Sequence, residues 1–329
     1  MSRKLAFLFV AALSCISTAM AASYVAENTN KLTVGTGVRV RATPDTNAAE
    51  VGKLPLGTDL HTTQRTSDKT NVGKQSDYWY QIEAPVKGWV FGGLVRDFDP
   101  AQSEQVWLDL ALEKLGKSDT LYDHYENKSP LSFSDAVEIG EFAQRAAKES
   151  KTPAIQGELE LAYWRAMQIA LWSADSNEHE KPPYLTWRKT LGDNVLYSEP
   201  SAEYLIQPDV LWKLVDKHKD DASGDIIAWQ AANAYIGGEC EGFVGCYSGR
   251  TLMMQGEYLK RYPKGKYVKP TLAVVNDTFD SIRKDWQADD TVDDLNLKDW
   301  ASILEPLADS PEANQARAAF KKLQALPKK

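Results

Sequence analysis

The chain has 329 residues, 43% apolar and 26% charged, the balance of an ordinary folded protein and enough length for two domains. Its 46 acidic residues outnumber 38 basic ones, for a formal net charge of −8. That excess argues against sequence-independent nucleic-acid binding and against a polybasic grip on anionic lipid, since both need clustered Lys and Arg.

Arg3 and Lys4 open the chain, Leu5 to Leu13 is an unbroken apolar run, and Ala19-Met20-Ala21 offers small residues where a signal peptidase reads. This layout predicts a leader over residues 1–21, cleaved after Ala21, and the apolar run is too short to span a bilayer. The expected mature protein is periplasmic or secreted. It has a net charge of −10, because the leader takes away Arg3 and Lys4 from a chain at −8. Lipidation at Cys15 fits poorly, because Ala12 stands where a lipobox normally has leucine. No later stretch approaches the ~20 apolar residues of a membrane helix. Two cysteines remain, Cys240 and Cys246, and an even pair in an oxidising compartment is expected to form a disulfide.

From Thr33 to Val95 short alternating segments are cut by turn residues, which predicts a small all-β domain within residues 22–98. Strands are expected at Val38–Arg41, Val51–Leu54, Asp59–Arg65, Tyr78–Ile82 and from Lys87 through Val90. Turns fall at Thr43-Pro44-Asp45 and Leu56-Gly57-Thr58, and the polar stretch Asp68–Asp77 reads as a mobile loop. Val40-Arg41-Ala42-Thr43-Pro44, Gly52-Lys53-Leu54, Gly57-Thr58, Trp79-Tyr80-Gln81-Ile82, Gly88-Trp89-Val90 and Leu94 stand in a characteristic order. With these residues the segment resembles the bacterial SH3 domain. Arg39 departs from the pattern, which usually has Asn before the Val-Arg pair. The resemblance implies an SH3-like barrel that binds peptidoglycan peptides, Pro-containing peptides or a protein partner. Tyr78, Tyr80, Trp89 and Phe91, beside Arg39 and Arg41, are the ligand-binding candidates. The same aromatics are equally needed inside so small a barrel. Alternation puts Tyr78, Tyr80 and Ile82 on one face and Trp79 on the other.

After Asp97-Phe98-Asp99-Pro100 the period changes, and residues 99–329 read as an all-α domain of helical hairpins. Helices are expected at Gln105–Leu115 and after a Ser134 cap, with a stripe of Ala136, Ile139, Ala143 and Ala147. A third carries Ile155, Leu159, Ala162, Ala166, Ile169 and Ala170 and ends near Ser173. Pro208 opens another, with Leu211, Leu214, Val215 and His218 on one side. Further helices are expected at Asp225–Ile236, Gly249–Tyr262, along Leu272, Val275, Phe279, Ile282 and Trp286, and at Ala313–Leu326. The segment Gly256–Tyr267, with its aromatic and Pro turn, weakly resembles tetratricopeptide hairpins, but no 34-residue period is sustained.

Catalytic signatures are missing from the sequence. His61, His124, His179 and His218 have no metal-ligand spacing, so neither metal nor cofactor is expected. His218 reads as a satisfied core histidine, and Asn177–Glu180 as a solvated helix end. Asp289-Asp290 and Asp293-Asp294 lack a calcium-loop pattern and read as a solvated turn. The segment Gly237–Tyr247 is the most unusual: four glycines, a cysteine pair, and Glu239 and Glu241 as recognition candidates. The expectation is a non-enzymatic envelope binding or adaptor protein, its barrel on peptidoglycan or a protein partner and its helices giving a second interaction surface. The alternative is a peptidoglycan hydrolase that would draw on Glu138, Glu141, Glu158 or Glu160.

Overall fold

The computed structural model describes residues 23–116, 129–287 and 290–327. The proposed leader with Cys15, and likewise His124 and Asp289, lie outside them. Strands come first: β1 (Tyr24–Thr33), β2 (Val38–Arg41), β3 (Glu50–Leu54), β4 (Asp59–Thr66), β5 (Thr70–Val72), β6 (Gln75–Asp77), β7 (Trp79–Ile82), β8 (Gly88–Phe91) and β9 (Val95–Asp97). Seven of them form one antiparallel sheet in the order β3-β2-β8-β7-β4-β1-β9. β1 hides in the sequence because Glu27, Asn28 and Asn30 break its alternation. It forms because β4 and β9 both offer it backbone partners, Leu32 facing Asp59 on one side and Arg96 on the other. The predicted loop at 68–77 is instead a hairpin, β5 against β6, closed at Gly73 with φ +59°.

Side-chain alternation then builds two small cores. Val38, Val40, Leu54, Leu60, Tyr80, Ile82, Val90 and Val95 fill one, with Tyr78 packed against it. Trp79, Trp89 and Phe91 fill the other, as the period-2 rule requires of Trp79. A third group, Leu32, Leu56 and Phe98, faces the helices and shares their core.

The helices are α1 (Ser103–Leu115), α2 (Phe133–Glu149), α3 (Pro153–Trp172), α4 (Tyr184–Thr190), α5 (Pro208–His218), α6 (Gly224–Ala232), α7 (Val244–Thr251), α8 (Glu257–Arg261), α9 (Val268–Asp285), α10 (Leu297–Leu304) and α11 (Pro311–Gln324). The N-cap of α2 is Ser132, two residues before the expected Ser134, its Oγ accepting from the Asp135 N–H at 3.2 Å. α6 stops four residues short of Ile236. The helix expected from Gly249 begins at Val244 and runs through a π turn, Leu252–Gly256, into α8. The shorter helices α4 and α10 were not foreseen.

The helical region is not purely α. Between α4 and α5 lies a two-stranded hairpin, β10 (Val195–Ser198) against β11 (Glu203–Ile206). Val195, Tyr197, Tyr204 and Ile206 are strand formers, and Pro200 forbids a helix between them. α3 anchors the hairpin: the Ile206 N–H donates to Gln168 Oε1 at 2.8 Å. His179 is likewise no solvated helix end. It is buried, its ring stacked on Tyr184 at 5.2 Å and edge-on to Tyr204 at 5.4 Å.

The first helices pack with the barrel residues around Phe142, Leu159 and Met167. The later helices close a second core around Tyr258, Phe279 and Trp300. Among the described residues no helix is long and apolar enough to cross a membrane.

Candidate functional site

The barrel commits its aromatics to packing. Trp89 and Phe91 are 5% and 3% exposed, and Tyr80 8%, so their rings lie in the barrel's interior. Phe91 meets Trp79 edge-on at 5.6 Å, and Tyr24 covers Trp89 at 4.9 Å. Tyr80 lies beneath the Lys31 ammonium, 4.2 Å from ring centre to nitrogen. Burial, then the nearby Glu27 and Asp77 carboxylates, push its phenol up to about 12. Lys31 is itself buried and is held by Asp97 at 2.7 Å. Tyr78 is half-buried under the Arg65 guanidinium, 3.9 Å from its ring, while Arg65 is paired with Glu27 at 2.7 Å. Arg39 is exposed and pairs with Glu50 at 3.3 Å, and Arg41 donates to the Ala48 carbonyl at 2.8 Å. These six candidates are thus placed in the barrel's interior and in a belt of contacts around it.

The open space lies elsewhere on the barrel. A groove of about 720 Å³ runs along β4, floored by Leu60 and Phe98 and walled by the turn at Ala84-Pro85 and by Pro100. His61, Asp59 and Glu83 stand on its rim, with His61 and Glu83 exposed. Nδ1 of His61 is 3.1 Å from Asn30 Oδ1. A smaller cavity of about 250 Å³ adjoins it between barrel and helices, and Asp59 lines both. Partial burial, then the charge of Glu149 on α2, raise the Asp59 carboxyl above its ordinary range. Apolar floor, proline walls and acidic rim can hold an extended segment and accept hydrogen bonds from its amides or cations. In the sequence Phe98 and Pro100 looked only like a domain boundary, so this groove was not foreseen.

α2 fixes the barrel against the helices. Glu138, named among the possible catalytic acids, accepts from the backbone N–H of Gly37 at 2.9 Å and of Leu56 at 2.7 Å. Thr36 donates to Asp135 at 2.5 Å, and Arg145 to the Leu56 carbonyl at 3.1 Å. Gly57, at φ +71°, admits the Phe142 ring, which would meet any Cβ there at 2.1 Å. Glu160 is engaged as well, with Lys217 and with His218 Nε2 at 3.1 Å. His218 also contacts Asp221 at 2.8 Å, and Asp221 accepts from the N–H of Ser223 just before α6. His218 is thus buried and partnered, at the corner between α5 and α6. Glu141 is exposed on α2, and Glu158 lines a separate cavity.

The segment 237–247 is stapled by the Cys240–Cys246 disulfide, with Cα atoms 5.5 Å apart. Arg250 braces it from below by donating to the carbonyls of Ile236, Gly237 and Gly238. Glu239 and Glu241 point away from the core and are exposed, beside an exposed Phe243. They sit on the helical region and are not part of the barrel groove. Among the described residues no group of three or more His, Cys, Asp or Glu could hold a metal ion.

No curated protein and no solved structure matches the chain. A family model does: residues 36–96, from the turn before β2 to β9, match the bacterial SH3 domain, and the N-terminal barrel carries that domain.

Proposed function

We propose that this protein is a binding or adaptor protein of the bacterial cell envelope, whose barrel takes an extended segment of peptidoglycan or of a protein partner in the β4 groove. The observation that carries this reading is the groove of about 720 Å³ on a bacterial SH3 domain, with its apolar floor and acidic rim. The leader pattern at residues 1–21, with Ala21 as its last residue, and the disulfide support an oxidising compartment outside the cytoplasm. The helices give the second surface, joined to the first through Glu138 and Phe142.

The test is co-sedimentation of residues 22–329 with insoluble peptidoglycan, beside a His61→Ala, Glu83→Ala double variant. Both side chains are exposed, so the variant keeps the barrel core. Wild type in the pellet and variant in the supernatant is the expected result for a wall ligand. Wild type in the supernatant removes peptidoglycan and leaves a protein partner. Equal pelleting of both proteins moves the site off this groove.

A further inference from the structure

The groove along β4 does not end at the barrel. Around the turn before β4 it meets the cavity of about 250 Å³ at the barrel–helix seam, and Asp59, the first residue of β4, lines both. The helices supply most of the seam wall. Phe142 and Ala146 of α2 are buried there, Trp107 of α1 is half-buried, and Glu149, the last residue of α2, is exposed at its edge.

The charges along this path are unequally engaged. Glu83 on the groove rim is paired with Lys87 at 2.8 Å. The Asp59 and Glu149 carboxylates form neither an ion pair nor a side-chain hydrogen bond among the described residues. Arg145 lines the cavity too, but it donates to the Leu56 carbonyl at 3.1 Å and pairs with neither carboxylate. Asp59 and Glu149 repel each other across the seam, and a cation between them would turn that repulsion into attraction. An indole beside them suits the same guest, since an ammonium is drawn to an aromatic face as well as to carboxylates.

Size narrows the guest further. About 250 Å³ is below the range of whole small-molecule sites, so the seam takes the end of one long side chain while the backbone that carries it stays in the larger groove. Peptidoglycan stems are short peptides with a diamino acid, and its second amine is free wherever the stem is not cross-linked. We propose that groove and seam cavity form one site for an uncross-linked peptidoglycan stem, its backbone along β4 and its free side-chain ammonium between Asp59, Glu149 and Trp107. This rests on the groove reading above and adds to it that α1 and α2 select the ligand.

The test is co-sedimentation of residues 22–329 with insoluble peptidoglycan in two forms, native and with its free amines acetylated. Wild type is expected to pellet with the native wall and to bind the acetylated wall at least tenfold more weakly. Glu149→Gln, a change at an exposed helix end, is expected to weaken native-wall binding several-fold and to leave acetylated-wall binding as it is. Glu305→Gln, the same loss of charge at an exposed residue just past α10, keeps wild-type binding; if it weakens binding as Glu149→Gln does, bulk charge and not a site is at work, and the proposal falls. Equal pelleting with both walls, while the His61→Ala, Glu83→Ala protein stays in the supernatant, overturns this proposal and keeps the groove. Full native-wall binding by Glu149→Gln removes the seam from the site. Pelleting with neither wall overturns the stem proposal together with the wall as ligand, and leaves the groove to a protein segment.

Discussion

The barrel and the helical region use unusual residues in opposite ways. In the barrel the conspicuous side chains, Trp79, Trp89, Phe91 and Tyr80, are interior, and the open groove is lined mostly by unremarkable residues. In the helical region a charged residue on an otherwise apolar stretch, Arg165, is interior and forms no ion pair among the described residues. A domain of some sixty residues has little volume per unit surface, so its largest rings are needed inside. A larger bundle can leave a cavity among its helices and tolerate a charge in it. Motif residues therefore fill the interior in the first region, while in the second an arginine is buried within an apolar helix stretch.

Breaking the barrel's interior should have the largest effect. Trp89→Ala removes a ring that packs with Trp79, Phe91 and Tyr24, with an expected cost of about 3–5 kcal/mol. Denaturant unfolding followed by circular dichroism measures it. A Trp89→Ala protein with near-wild-type stability that no longer binds its ligand would reverse the comparison and return Trp89 to the binding face.

The joint between the regions comes next. Glu138→Ala strands two barrel amides, those of Gly37 and Leu56, at a cost of about 2–3 kcal/mol. Hydrogen exchange should show β2 and the 55–58 turn losing protection while α3 keeps it. If α3 loses protection equally, barrel and helices unfold as one unit and the contrast between them is weaker than their cores imply. Reducing the Cys240–Cys246 bridge is the third step. The closed loop is short, so the expected loss is about 2 kcal/mol, measured as a lower melting temperature in the presence of a reductant.

Legibility follows the same division. Val38–Arg41, Trp79–Ile82 and Gly88–Val90 were readable as strands because alternation and turn chemistry are local. β1 was not, since its polar residues give no period and its place depends on β4 and β9, far along the chain. Leu211, Leu214, Val215 and His218 declared a buried helix face, and all four are buried. The β10–β11 hairpin and buried His179 escaped because both depend on contacts with α3 and α4 rather than on their own sequence. None of these cavities could be read, for a cavity is a property of several elements at once. Arg165 offered one local signal, a charge within the Leu161–Leu171 apolar stretch of α3, but arginine on a helix is ordinarily solvated.

The smallest effect tests whether helix–helix joints share the electrostatic economy of the barrel joint. Glu104 on α1 accepts from the Ser150 hydroxyl at 2.7 Å and from the N–H groups of Lys151 and Thr152 at 3.0 Å, tying the α2–α3 turn to α1. The Ser150 hydroxyl first, then the Lys151 N–H, lower its carboxyl to about 2 from an ordinary 4.5. A lowered folded-state value means the stabilisation is complete above pH 4.5 and is lost as pH falls towards 2. Asp135 and Asp221 are lowered too and lose stability in the same direction, so wild type alone cannot isolate Glu104. The difference between wild type and Glu104→Gln can: melting temperatures should differ at pH 6 and converge towards pH 2. Glu104 is near the surface, so solvent screens the pair, and the gap at pH 6 should not exceed what a helix cap contributes, about 1 kcal/mol. A constant gap across that range would mean that shape, not charge, holds the turn, as Phe142 against Gly57 holds the barrel.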